Sequence, residues 1–195
     1  MSSFYSDDEL LTIGFRSLGE NVKISRKTSF YNVERIDIGN NVRIDDFCII
    51  SACSEGFVKI GNRVHIAAYC FIEAPAGMTM DDFSGLAARC TVYGGSDDYG
   101  GNYLTNPCVP DEYRKCMAEH VHLEKHVVVG TGSTILPGVT IGIGSAVGSM
   151  ALVTKNIPEG KIAVGMPAKV VKSRSLVLLD LEKKLIASEI EKDNK

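Results

Sequence analysis

Between residues 123 and 153, bulky aliphatic side chains stand at Leu123, Val129, Ile135, Ile141, Val147 and Val153, six residues apart every time. No single regular element has that period, since an amphipathic helix repeats about every 3.6 residues and a half-buried strand about every 2. A six-residue beat belongs to a β-helix built of hexapeptides, in which each hexad supplies one short strand and one corner.

Upstream, the beat runs in groups of three. These are Leu18, Ile24 and Phe30; Ile38, Ile44 and Ile50; Ile60, Ile66 and Ile72; and Met80, Leu86 and Val92. The step is six within each group and longer between groups, so a coil has three faces and the surplus always leaves at one corner. The surplus segments are 36–37, 56–59, 78–79 and, far longer, 98–122. The spacing therefore predicts an all-β chain, a parallel β-helix of about six triangular coils with a long extruded loop.

The fifth residue of each hexad, from Val22 and Thr28 through Cys48, Cys70 and Cys90 to Ile157, is small or β-branched everywhere except Glu34. Such side chains suit a narrow interior that a large group would overpack. The second position is often glycine or acidic, as at Gly39, Asp45, Gly61, Gly130 and Gly142. That pattern reads as a corner needing an unusual backbone angle or an outward polar group.

A chain of 195 residues suits one domain, and the repeat takes most of it. Residues 1–17 form an N-terminal cap, where Ser6 and Glu9 have capping-box spacing before an apolar run. Residues 18–173 form the repeat, and residues 174–195 carry an amphipathic C-terminal helix expected to cover the last coil or a partner. The turn at Pro158 and Gly160 is expected to leave the repeat. A net charge of −3 with scattered Lys and Arg argues against a nucleic-acid groove. With neither a membrane span nor a secretion signal in MSSFYSDDELL, a cytoplasmic protein is expected. Cys48, Cys70 and Cys90 fall in interior slots, and Cys53, Cys108 and Cys116 lack metal-ligand spacing, so no metal is expected.

The run from Val127 through PGVTIG at 137–142, VTK at 153–155 and VGMPAKVV at 164–171 resembles the hexapeptide-repeat acyltransferases. Within them it is similar to the galactoside and maltose acetyltransferase type, and more narrowly to surface-polysaccharide sugar acetyltransferases. The resemblance implies a left-handed β-helix, a homotrimer with sites between subunits, and acetyl-CoA as co-substrate. Carried over by motif, Thr131, Ser149, Thr154 and Lys155 would contact coenzyme A, Pro167 would lie by its adenine, and Lys169 and Lys172 would neutralise its phosphates.

In related sequences a histidine stands where the repeat gives way to the long loop and takes the proton of the acceptor hydroxyl. Here that slot holds Asp97. Three readings stay open. Asp97, with Asp98, acts as base if burial raises its pKa. Alternatively, His120 or His122 from the loop's return serves. Or the acceptor is an amine that loses its proton to water, leaving the enzyme to orient the reactants. Loop tyrosines including Tyr93 and Tyr99, together with Asn106 and the corner carboxylate Glu73, are candidate sugar contacts. The expected function is acetyl transfer to a sugar hydroxyl, on a nucleotide-linked or surface-polysaccharide sugar. Alternatives are an amino-sugar N-acetyltransferase, a non-catalytic trimeric scaffold that binds coenzyme A or sugar, and a zinc enzyme of the γ-carbonic-anhydrase kind using His120, His122 and His126.

Overall fold

The protein is described by a computed structural model covering residues 3–193. Its hexads stack as three parallel sheets. The first face consists of Ser17–Leu18, Ile36–Ile38, Val58–Ile60, Met78–Met80, Val121–Leu123 and Thr140–Ile141. The second starts at Lys23–Ile24 and climbs to Ala146–Val147; the third starts at Ser29–Tyr31 and climbs to Leu152–Val153. The registers put the aliphatic markers directly over one another, with Ile60 paired to Met80, Ile66 to Leu86, and Val92 to Ile135. Those side chains form one continuous buried core. Burying each is worth about 1.5–3 kcal/mol, which is why the beat is so strict.

Two expectations about the repeat need correction. Glycine at the second position answers close approach between coils and not an unusual angle: a Cβ on Gly130 would stand 2.5 Å from the Ser149 amide nitrogen. The left-handed residue is the fourth of the hexad, and it is often large, as at Phe47, Arg63, Tyr69, Phe83, Arg89 and His126. The chain also does not leave the repeat at Gly160. Lys161–Val164 adds a seventh parallel strand to the second face, and Lys169–Ser173 folds back antiparallel to cover that edge.

Helix α1 (Asp7–Ile13) lies at the first coil, with both hydrogen bonds of the capping box made between Ser6 and Glu9. Helix α2 (Val177–Asp193) touches the last coil only at its start, where Leu178 lies beside Gly144. It runs down the corner between the first and second faces, held by charge and not by an apolar stripe. Glu182 accepts from Lys125 Nζ and pairs with His126 Nε2, each at 2.7 Å, and Glu189 takes both its bonds from Arg63 Nη2 at 2.7 Å.

The long excursion begins earlier and ends earlier than its spacing suggests. Its neck is a two-stranded antiparallel ribbon, Gly95–Asp97 against Cys116–Ala118, which pairs Asp97 with Cys116. Val121 and His122 already belong to the first face.

Candidate active site

Where the third face turns toward the first, the loop's neck and the coil enclose a cavity of about 590 Å³. Glu73, Tyr93 and Leu136 come to it from three successive storeys, because Glu73 pairs with Tyr93 and Leu136 follows the pair Val92 and Ile135. Pro137 completes the coil side, and Ser96, Asp97, Tyr99, Pro107, Arg114 and Cys116 supply the loop side. Tyr93 also packs its ring against Phe71, with centroids 5.6 Å apart.

Two carboxylates thus share one cavity. Burial, and then the charge of Asp97, push the Glu73 carboxyl above the usual carboxylate range. Among the described residues the one hydrogen-bonding contact of the Glu73 carboxyl is a long approach from Cys53 Sγ at 4.0 Å. The Asp97 carboxylate accepts one hydrogen bond among the described residues, from the Asn106 amide at 3.2 Å. No Lys, Arg or His is ion-paired to either among the described residues.

Asp98 is differently placed. It accepts from the amides of Gly100 at 2.8 Å, Asn102 at 2.7 Å and Tyr103 at 3.0 Å, which clasps the loop. Those bonds, that from Gly100 foremost, hold its carboxyl below the usual range. Asn106 turns the loop at φ 73°, its Oδ1 accepting from the Cys108 amide, while Tyr99 is almost fully exposed at the rim.

His122 is not brought to this cavity. It points outward from the first face and meets Asp81 Oδ2 at 2.9 Å. His120 contacts Thr79 Oγ1 at 2.9 Å beside it, and His126 lies at the next corner, stacked on Phe83 and bound to Glu182. The three histidines do not converge on one point, and no group of three metal-ligating side chains occurs among the described residues. A groove of similar size on the first face is lined by Asp37, Lys59, Asp81, Asp82 and Lys125. Its carboxylates are already engaged, Asp37 by Arg16 and Ser17, Asp81 by His122 and Asp82 by Asn62.

The residues carried over for coenzyme A fall on two corners. Thr131 and Ser149 stack where the second face meets the third, with the Met150 amide donating to the Thr131 carbonyl at 2.8 Å. Thr154 and Lys155 sit one face away, a storey above Leu136 and Pro137. Pro167 lies over the last third-face strand, since the flanking Gly165 carbonyl and Ala168 amide both bond Leu152. Lys169 and Lys172 are exposed on the fold-back strand. The chain's lysines fit such a ligand, since no ion pair ties up Lys155, Lys169 or Lys172 among the described residues.

Arg114, Cys116 and Leu136 escape a reading by motif, and Pro137 lies in the PGVTIG run without being read there as a site residue. Leu136 and Pro137 are recoverable from the hexad count, which stacks them over Tyr93 and Gly94. The loop residues carry no periodic signal.

No family model matches the chain. It is 42% identical over 180 residues to a dTDP-4-amino-4,6-dideoxy-D-glucose acyltransferase of Escherichia coli, covering 92% of this chain and 93% of that one. Among solved structures it is similar to AntD, an N-acyltransferase from Bacillus cereus, in complex with dTDP and coenzyme A, with a TM-score of 0.91 and 44% identity over 96% of this chain and 100% of that one. Other AntD structures hold dTDP-4-amino-4,6-dideoxyglucose with coenzyme A, or dTDP with 3-hydroxybutyryl-CoA. A hexapeptide-repeat acetyltransferase from Vibrio cholerae, 18% identical with a TM-score of 0.56 over 85% of this chain and 78% of that one, shares the fold alone. The protein belongs to the acyl-CoA-dependent hexapeptide-repeat sugar acyltransferases.

Proposed function

We propose that the chain acylates the amine of a nucleotide-linked amino sugar, using Glu73 as the proton acceptor and Asp97 as the charge beside it. The observation that carries this is the shared cavity, in which two carboxylates lack a cationic partner and one is raised in pKa. An incoming ammonium supplies that partner, whereas a neutral hydroxyl would leave both charges uncompensated. A carboxyl titrating above its usual range also makes a better acceptor for the ammonium proton. The amine replaces the sugar hydroxyl expected first, in keeping with the N-acyltransferase and the amino-sugar complexes among the similar structures.

Acyl-CoA supplies the acyl group activated as a thioester. Glu73 takes a proton from the ammonium, Asp97 keeps the nitrogen in place, and the freed amine attacks the thioester carbonyl; the C–S bond breaks as the amide forms, and the departing thiolate takes the nitrogen's second proton. Leu136 and Pro137 give the cavity an apolar wall suited to a deoxygenated sugar carbon. Asp98 has no part in proton transfer and holds the loop. Thr131, Ser149, Thr154, Lys155, Pro167, Lys169 and Lys172 make up the coenzyme A surface.

A homotrimer with sites between subunits accommodates the division of that surface over two corners. Exposed Tyr31, Phe47, Ile49 and Tyr69 on the third face and its corner support burial against a second copy. The reaction fits assembly of a surface-polysaccharide precursor in the cytoplasm.

The test is purified protein with dTDP-4-amino-4,6-dideoxyglucose and either acetyl-CoA or 3-hydroxybutyryl-CoA, followed by thiol release and mass spectrometry. Amide formation is expected. Thiol release no faster than thioester hydrolysis with both donors would overturn the reading.

A further inference from the structure

The cavity holds one permanent cation, Arg114, and the acyl-transfer chemistry gives it nothing to do. Its position is built. Arg114 follows the short 3-10 helix Asp111–Tyr113, whose Tyr113 carbonyl accepts from the Leu104 amide at 2.9 Å, and Leu104 bridges Arg114 itself. Two residues later Cys116 pairs with Asp97, so the guanidinium is tied through the ribbon to the carboxylate end of the cavity. The side chain is only 28% exposed although nearly every neighbour in the loop is open to solvent.

Only two of its five N–H donors are engaged among the described residues. Nε donates to Asp111 Oδ1 at 2.7 Å and Nη2 lies 2.5 Å from the same oxygen, so one carboxylate oxygen takes both contacts. Nη1 makes no hydrogen bond among the described residues, and Asp111 is 88% exposed, a partner that water and other anions can replace. Arg114 is not ion-paired to Glu73 or Asp97, although all three line the same space.

The cavity is lined by both signs of charge, two carboxylates and a guanidinium that is ion-paired to neither. An amino sugar linked to a nucleoside diphosphate carries that same pattern, cationic at the amine and anionic at the diphosphate. We infer that Arg114 is a positioning residue that holds the diphosphate of the acceptor and so makes the enzyme prefer nucleotide-linked sugars over free amino sugars. The planar fork suits paired phosphate oxygens, which a point charge would hold less specifically. The inference rests on the amino-sugar reading above and deepens it.

The test compares wild type with Arg114→Gln, Arg114→Lys and Asp111→Asn. With dTDP-4-amino-4,6-dideoxyglucose as acceptor, Arg114→Gln is expected to raise KM about 10- to 100-fold, with kcat and the KM for acyl-CoA changed far less. Its kcat/KM for the free 4-amino-4,6-dideoxyglucose should match wild type, because that acceptor has no diphosphate. Arg114→Lys should recover part of the loss. Asp111→Asn, which frees the guanidinium, should leave KM unchanged or lower it. A KM for the nucleotide sugar that stays at the wild-type value in Arg114→Gln, or a loss equal for both acceptors, overturns the inference.

Binding of dTDP alone separates this from failure of the amino-sugar reading. dTDP should raise the thermal midpoint of wild type and not of Arg114→Gln, whether or not any acyl group is transferred. Equal shifts in the two proteins, or no shift in wild type, would also overturn it.

Discussion

Two glutamates at two corners of the same prism show opposite solutions to one problem. Glu182, on α2, is pressed against the first corner with its side chain 9% exposed; burial works against its charge, but hydrogen bonds from Lys125 and His126 more than offset it, and its carboxyl stays below the usual range. Glu73, at the third corner, is also partly buried but has no cation, and its carboxyl is raised by burial and by Asp97. The first corner spends its charges on holding a helix in place. The third leaves charges uncompensated, the condition that a cationic acceptor would relieve.

Removing the charge at each corner in turn should have opposite effects. Glu73→Gln is expected to lower kcat about 10²- to 10⁴-fold, the usual worth of a positioned proton acceptor. The same variant should not be less stable than wild type at neutral pH. A carboxyl whose pKa is raised on folding binds its proton more tightly in the native state, so its ionised form works against the fold above that pKa. The midpoint of Glu73→Gln should therefore lie above wild type at neutral pH, and the gap should close as pH falls through the raised pKa. A destabilised variant with ordinary kcat would make Glu73 a structural residue.

Glu182→Gln should do the reverse. Loss of two charge-assisted hydrogen bonds costs about 1–3 kcal/mol, which for a chain of this size lowers Tm by about 2–10 °C. Here the folded pKa is depressed, so the contribution is present above the unfolded pKa and disappears as pH falls through the folded one. The Tm difference between variant and wild type should be widest at neutral pH and vanish in acid. Acyl transfer below the melting range should be unaffected, because Glu182 lines no part of the cavity between the loop and the third corner. Loss of activity in the folded variant would join two corners that the structure keeps apart.

How much of this was legible in the chain follows from what burial enforces. Ile60, Ile66 and Ile72 must point inward on every coil, so their spacing carries faces, storeys and the corner that extrudes the loop. The fourth position carries no such signal. Tyr69, Phe83 and Arg89 adopt φ near 60° there although none is a usual left-handed residue, because their amides are held by carbonyls of the coil below. Helix α2 was legible as a helix but not in its place, since Glu182 and Lys125 are 57 residues apart and charge pairs have no period. At the site, Glu73, Tyr93, Tyr99 and Asp97 are gathered into one cavity. His122 is not, because the first-face strand resumes at Val121, before the loop's apparent end. Arg114 stayed hidden because the ribbon that places it pairs strands antiparallel across a bend, which hexad counting does not follow.

The finest test asks which of its two causes raises Glu73. Asp97→Asn keeps a side-chain oxygen to accept from the Asn106 amide, so the loop stays anchored while the charge is lost. Removing that charge should let the Glu73 pKa fall, because Asp97 disfavours a second ionised carboxylate beside it. The acid limb of kcat/KM, which reports ionisation of the free enzyme, should then move to lower pH, with a smaller loss of turnover than Glu73→Gln shows. Burial is the larger cause and persists in the variant, so the limb should stop short of an ordinary glutamate's. A limb that does not move assigns the whole shift to burial and leaves Asp97 as a holder of the amine alone. A limb that moves upward removes Glu73 as the titrating group, and with it the contrast to Glu182.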